Sequence, residues 1–188
     1  MSDPRIVVLF VLVLVAMIWV ALVFNQLTKL NNRCQEAWAD VDTELKRRYD
    51  LVPNLVTVVT GYAHHERETF ESVTRARNQA IASTKSPTSQ AHDENILLGA
   101  LRQLFAVAER YPTLKADQHF LRLQQELVTT EDRIEAARRF YNANVRDFNT
   151  RIQVFPSNII ARLSGFARED YFEIEDTDIR SVPQVNLF

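Results

Sequence analysis

The sequence predicts an all-α fold: an antiparallel up-and-down helical bundle with a long kinked first helix, second and third helices and a short fourth, preceded by an N-terminal transmembrane helix. Three observations predict it. Glycine occurs only 3 times in 188 residues, against an average near ~7%, which leaves few tight turns. The chain opens on an uninterrupted apolar run. Beyond that run, apolar residues recur at spacings of three and four over most of the chain, the period of a helix packed on one face. The same composition narrows the function classes. Without a Gly-rich loop there is no cradle for a phosphate. A formal net charge of −2 offers no electrostatic case for nucleic acid. Cys34 is the sole cysteine, so there is no disulfide framework.

The apolar run is "IVVLFVLVLVAMIWVALVF", Ile6 to Phe24, with Ile6, Leu9, Leu12, Trp19 and Phe24 along its length. It holds no charge or amide, and a bilayer core about 30 Å thick needs about 20 such residues in a helix. A cleaved signal peptide has a shorter apolar region, about 7–15 residues, and ends at a small-residue site. Here "VALVFNQL" has no A-x-A pattern. The reading is an uncleaved single span whose partner is the lipid bilayer. Arg5 precedes it; Lys29 and Arg33 follow, with Lys46, Arg47 and Arg48 further on. That asymmetry places the soluble domain on the cytoplasmic side by about one charge. The expected organisation is a segment and span at 1–25, a helical bundle at 26–172, and an acidic, extended or loosely ordered tail at 173–188.

The first bundle stripe runs Trp38, Val41, Leu45, Tyr49, Val52, Val56, Val59, Ala63, Phe70, Val73, Arg77 and Ala80. It weakens between Ala63 and Phe70. Asp42 with Lys46, Glu44 with Arg48, and Glu71 with Arg75 are i,i+4 pairs on the opposite face. Pro53 interrupts the stripe, and inside a helix a proline removes a hydrogen bond and clashes with the preceding turn, costing about 3 kcal/mol. The stripe keeps phase across it. The expectation is a kink at Tyr49–Pro53 inside one helix from about 26 to 83, its Tyr49 carbonyl needing water or a side chain in place of the missing donor. The rival reading caps a new helix at Asp50 with Pro53 in its first turn.

"TKSPTSQAHDEN", Thr84 to Asn95, reads as a polar loop. The second helix comes next in "ENILLGALRQLFAVAERY" and stops before Pro112. Asp117 is placed to cap the third, whose stripe is Phe120, Leu123, Leu127, Thr130, Ile134, Ala137, Tyr141, Val145, Phe148, Ile152 and Phe155. Pro156 ends it, and "SNIIARLSGF" forms a short amphipathic turn. No single amphipathic helix buries its stripe alone, so the helices pack as a bundle.

Three stretches in this order, "RRYDLVPNLV", "ERYPTLKA" and "RRFYNANV", closely resemble the LemA family. The likeness covers about residues 36 to 172 and leaves the acidic tail outside. The resemblance implies a bacterial single-pass membrane protein with a helical bundle and no assigned enzymatic activity. Some relatives serve magnetosome-membrane biogenesis, which implies a role in membrane organisation.

The residues themselves offer little catalytic chemistry. A di-iron bundle needs Glu-x-x-His pairs facing its core. The positions three before His64, His65, His92 and His119 are Gly61, Tyr62, Ser89 and Ala116. Adjacent histidines in "HHE" do not converge on one point of a helix, and no G-x-S-x-G elbow occurs. Asn54, Glu109, Glu131, Arg138, Asn142 and Asn149 lie near apolar stripes, where such groups satisfy one another because an unpaired buried polar group is costly. "KRR" at 46–48 reads as a solvated face. We therefore expect no cofactor, metal, catalytic residue, nucleic acid or small-molecule substrate. The leading function is a membrane-anchored scaffold acting through helix–helix contacts and self-association. The alternative is a sensor or adaptor docking a membrane partner such as an envelope-stress protease. By length the first helix, about 87 Å at about 1.5 Å per residue, outruns its neighbours. Trp38 and Val41 are thus expected to remain uncovered as an interface.

Overall fold

A computed structural model describes residues 4–83 and 86–174. Its elements are α1 (Pro4–Thr60), α2 (Arg67–Ala82), α3 (Pro87–Glu109), α4 (Pro112–Lys115), α5 (Gln118–Gln153) and α6 (Ser157–Leu163). Among the described residues all regular structure is helical, as predicted. Contacts divide the chain into two compact units: Met1–Asp40 with Arg139–Glu169, and Val41–Arg138 with Asp170–Phe188. Helices α1 and α5 each contribute to both.

Helix α1 runs through Pro53 without a break, so no new helix is capped at Asp50. It ends at Thr60, however, and the single helix expected to reach residue 83 is two. Gly61, the poorest helix former apart from proline, opens the turn, just before the stretch from Ala63 to Phe70 where the stripe weakens. Ala63 stays buried there. Glu66 then ion-pairs with Arg110 at 2.8 Å before α2 begins. Helix α3 starts earlier than expected. Ser86 caps it, its Oγ accepting from Ser89 N at 3.2 Å, with Pro87 at the first helical position. Most of the polar stretch read as a loop is thus the first turns of α3, a Ser-Pro start signal obscured by the polar composition. Asp117 caps α5 as expected, its Oδ1 accepting from His119 N at 2.8 Å and Phe120 N at 2.9 Å.

In the first unit α1 and α5 run antiparallel. Arg151 donates to Gln26 at 2.7 Å, and the Trp38 and Tyr141 rings lie 5.1 Å apart. Val23 and Leu27 of α1 form an apolar cluster with Ile160 and Ala161 of α6, flanked by Ile152 and Phe166. Gly165, with φ +76°, lets the chain turn off α6. Phe166 N then bonds Ala161 O at 3.0 Å and Gly165 N bonds Arg162 O at 3.4 Å, the two bonds of a Schellman C-cap. That turn aims the Phe166 ring at Phe24 and Phe148, at 6.0 and 6.1 Å. Asn149 holds the segment after it by both ends of its amide, donating to Glu169 O at 2.9 Å and accepting from Glu169 N at 3.0 Å. Because Val23 belongs to this core, a boundary at residue 25 cuts into the packed unit.

In the second unit α2 and α3 form an antiparallel hairpin, tied by Gln79–Asp93 at 2.7 Å and Ser83–Ser89 at 3.3 Å. Leu45, Val52 and Leu55 of α1 and Leu97 and Leu104 of α3 are buried in its core. Phe172 is buried in this unit too, and Arg138 donates to Ile174 O at 3.3 Å. The described segment from Phe166 to Ile174 has no regular structure; the acidic tail expected at 173–188 lies, from residue 175 on, outside the described residues.

Two expectations about α1 fail. Val41 is fully buried within the chain, and Trp38 is half-buried against Tyr141. Neither offers the uncovered surface that the helix lengths suggested. Arg48 does not pair with Glu44, nor does it face solvent; it is fully buried.

Candidate functional site: a buried arginine–carboxylate cluster

The site begins with the spacing of α1. Val41, Leu45, Arg48, Val52, Leu55 and Val59 are all buried, at steps of three and four, so Arg48 occupies a core position of the helix seam. Its Nη1 donates to both Glu131 oxygens of α5, at 2.8 and 2.9 Å, and its Nη2 to Oε2 of Glu94 on α3. A guanidinium suits this role because its planar fork satisfies two carboxylates at once. Tyr49, next in α1, donates its hydroxyl to Glu94 Oε1. Gln90, one turn before Glu94, places its Nε2 2.7 Å from Glu94 Oε1, 2.9 Å from the Tyr49 hydroxyl and 3.1 Å from Ala80 O. The cluster therefore joins α1, α2, α3 and α5.

The proline belongs to the same construction. Pro53 has no N–H for the Tyr49 carbonyl, and Arg77 Nε of α2 supplies the donor instead, at 2.6 Å. The side chain that the sequence placed on an apolar stripe thus heals the hydrogen-bond gap that the proline opens in α1.

Charge is concentrated here. Arg48 and Glu94 have no exposed side-chain surface, and Glu131 has 17%. Burial works against the Arg48 cation, but Glu131 and Glu94 outweigh it and hold its pKa above the ordinary value. Burial, and then Glu94, push Tyr49 well above the usual phenol range, which keeps it a neutral donor. One cation faces two carboxylates, a formal charge of −1 for the three groups. Within the cluster, Arg48 Nε is the buried donor left without a partner. Chemically the arrangement is a clamp: its other polar groups are engaged with one another across helices.

The other polar residues singled out in the sequence scatter. Glu131 joins the cluster and Asn149 anchors Glu169 in the other unit. Arg138 and Asn142 are half-buried, whereas Asn54, Glu109 and all four histidines are exposed. Among the described residues no group of three or more His, Cys, Asp or Glu converges as a metal site would require. Arg48, Glu94 and Gln90 were not foreseen, because a charged residue in a seam reads as a phase slip of the stripe. The signal for Arg48 was its fit to the spacing 41, 45, 48, 52. Ile6, Leu9, Leu12, Trp19 and Phe24 are all exposed, and only 6% of the most apolar window of α1 is buried. A core helix of a soluble protein would be covered; this helix fits membrane anchoring.

Comparison with known proteins adds the family context. The model of the LemA family matches residues 37–187, past the position 172 where the quoted likeness ends and into the acidic tail. The chain is 28% identical to magnetosome protein MamQ 1 of Paramagnetospirillum magneticum, across 80% of this chain and 64% of that protein. It is 27% identical to magnetosome protein MamQ of Magnetospirillum gryphiswaldense, across 86% and 69%. It is 30% identical to protein LemA of Metamycoplasma hominis, across 82% and 72%. The chain thus spans about two thirds of the length of the MamQ relatives.

Proposed function

Since the chain belongs to the LemA family, we propose that it is a membrane-anchored, non-enzymatic scaffold that acts through helix–helix contacts and self-associates. The observation that carries the reading is α1 itself. One helix begins as an exposed apolar run long enough to cross a bilayer and continues into a packed helical domain. The Arg48 cluster supports it, since its polar groups, Arg48 Nε apart, are engaged in tying helices together. The magnetosome-protein relatives support a role in membrane organisation, and the excess of Lys29 and Arg33 over Arg5 supports a cytoplasmic domain. Light scattering of the purified full-length protein in detergent tests the reading. A homogeneous assembly several times the monomer mass is expected. A monomer that co-purifies with another membrane protein would instead make it an adaptor.

A further inference from the structure

Helix α6 is apolar on both sides. Its inner side, Ile160 and Ala161, packs against Val23 and Leu27 of α1. Its outer side, with the turn before it, exposes Phe155 (79%), Ile159 (50%) and Leu163 (81%). Ile159 and Leu163 are one helical turn apart and project to one side of α6, while Phe155 is exposed in the turn that precedes it. Large apolar side chains grouped this closely on the exposed side of one short segment mark a contact surface. The position points to what it contacts. Val23 and Leu27 lie where the apolar run from Ile6 to Phe24 ends, and Phe24 itself touches the Phe166 ring that caps α6. Helix α6 is therefore packed against α1 at the end of the apolar run, the level at which a span would leave the bilayer. Arg162 on α6 and Arg168 just beyond it are exposed, and such cations near a membrane surface attract anionic headgroups.

We infer that the 155–163 segment is a second membrane contact, an interfacial element that inserts Phe155, Ile159 and Leu163 into the headgroup–acyl boundary beside the span. Its occupant is a lipid surface. Interfacial helices bury an apolar face some ~5–10 Å deep in this zone. The consequence is mechanical. Because α6 is packed on α1, lipid contact at α6 fixes how the first unit meets the membrane, where a lone span would leave it free to swivel.

The inference rests on the membrane-anchored reading, and its test separates the two. Full-length protein with Cys34→Ala is reconstituted into vesicles containing anionic lipid. A single environment-sensitive fluorophore is attached at Leu163→Cys, at Leu14→Cys in the span, or at Arg146→Cys on the exposed side of α5. Lipids carrying a shallow or a deep doxyl quencher then report depth. We expect Leu14→Cys to be quenched by the deep probe, Leu163→Cys to lose most of its emission to the shallow probe, and Arg146→Cys to be quenched by neither. Quenching at Leu14→Cys without quenching at Leu163→Cys overturns the inference and leaves the anchor standing. No quenching at Leu14→Cys removes the anchor and the inference with it. A blue-shifted Leu163→Cys signal that escapes both quenchers and fades on dilution with lipid overturns it in favour of a second copy of the chain on this face. Phe155→Cys provides an independent position, expected to behave as Leu163→Cys does.

Discussion

Replacing Arg48 with methionine isolates the clamp. Methionine preserves most of the unbranched volume and adds no strain, but it leaves Glu94 without the cation that faces it. Glu94 keeps hydrogen bonds from Tyr49 and Gln90, while Glu131, with 17% of its side chain exposed, can turn toward water. Removing one partner of a buried pair costs roughly 3–5 kcal/mol, chiefly the penalty of the charge left behind. For a chain of this size about 1 kcal/mol moves Tm by about 2–4 °C, so Arg48→Met should lower it by roughly 6–20 °C. The assay is thermal unfolding of the full-length protein in mild detergent, followed by far-ultraviolet circular dichroism. Adding Glu94→Leu to Arg48→Met should recover part of the loss, since apolar replacement of a whole buried ion pair is often neutral or better. A Tm within about 2 °C of the parent for Arg48→Met, equivalent to ~1 kcal/mol or less, would refute the reasoning. It would mean that the carboxylates are hydrated and the cluster does not hold the helices.

The remaining predictions concern other parts of the fold. Arg77→Ala should cost about 1.5–3 kcal/mol, as expected for a hydrogen bond from a charged donor, and clearly less in a Pro53→Ala background, where the restored backbone N–H can serve the Tyr49 carbonyl. A double-mutant cycle by thermal unfolding checks this, and strict additivity would show that Arg77 does not compensate for the proline. Burial, with Glu169 and Asp147 adding to it, pushes the Cys34 thiol from 9.0 to about 11. Maleimide labelling at neutral pH should therefore be slow until denaturant is added. The sign of the stability effect follows from the same shift. Below pH 9 the thiol is protonated in both states; above it the unfolded chain ionises first, so Cys34 should make stability fall as pH climbs from about 9 toward 11. The raised phenol of Tyr49 acts in the same direction, and a Cys34→Ala variant should show a weaker alkaline decline. Gly165→Ala should cost about 1 kcal/mol or more at its positive φ and weaken the packing of Phe166, seen as a lower Tm.

What the sequence determined by itself was set by local chemistry. An apolar run from Ile6 to Phe24 can satisfy its backbone in lipid only as a helix. Steps of three and four along α1 and α5, with few glycines, commit the rest to packed helices. Asp117 caps its helix through bonds from the amides two and three residues away, so its role could be read in place. The cluster could not be read that way. Arg48 meets its carboxylates 46 and 83 positions along the chain, and from sequence alone it looked like one of three cations on a wet face. Whether a charge in a seam points outward or inward depends on whether opposite charges arrive from other helices, because only they offset the loss of water. The division of the long stripe at Gly61 and the donor supplied by Arg77 to Tyr49 have the same origin. Each is a local weakness that the chain can carry because a distant segment compensates for it, and only the tertiary structure decides which segment that is.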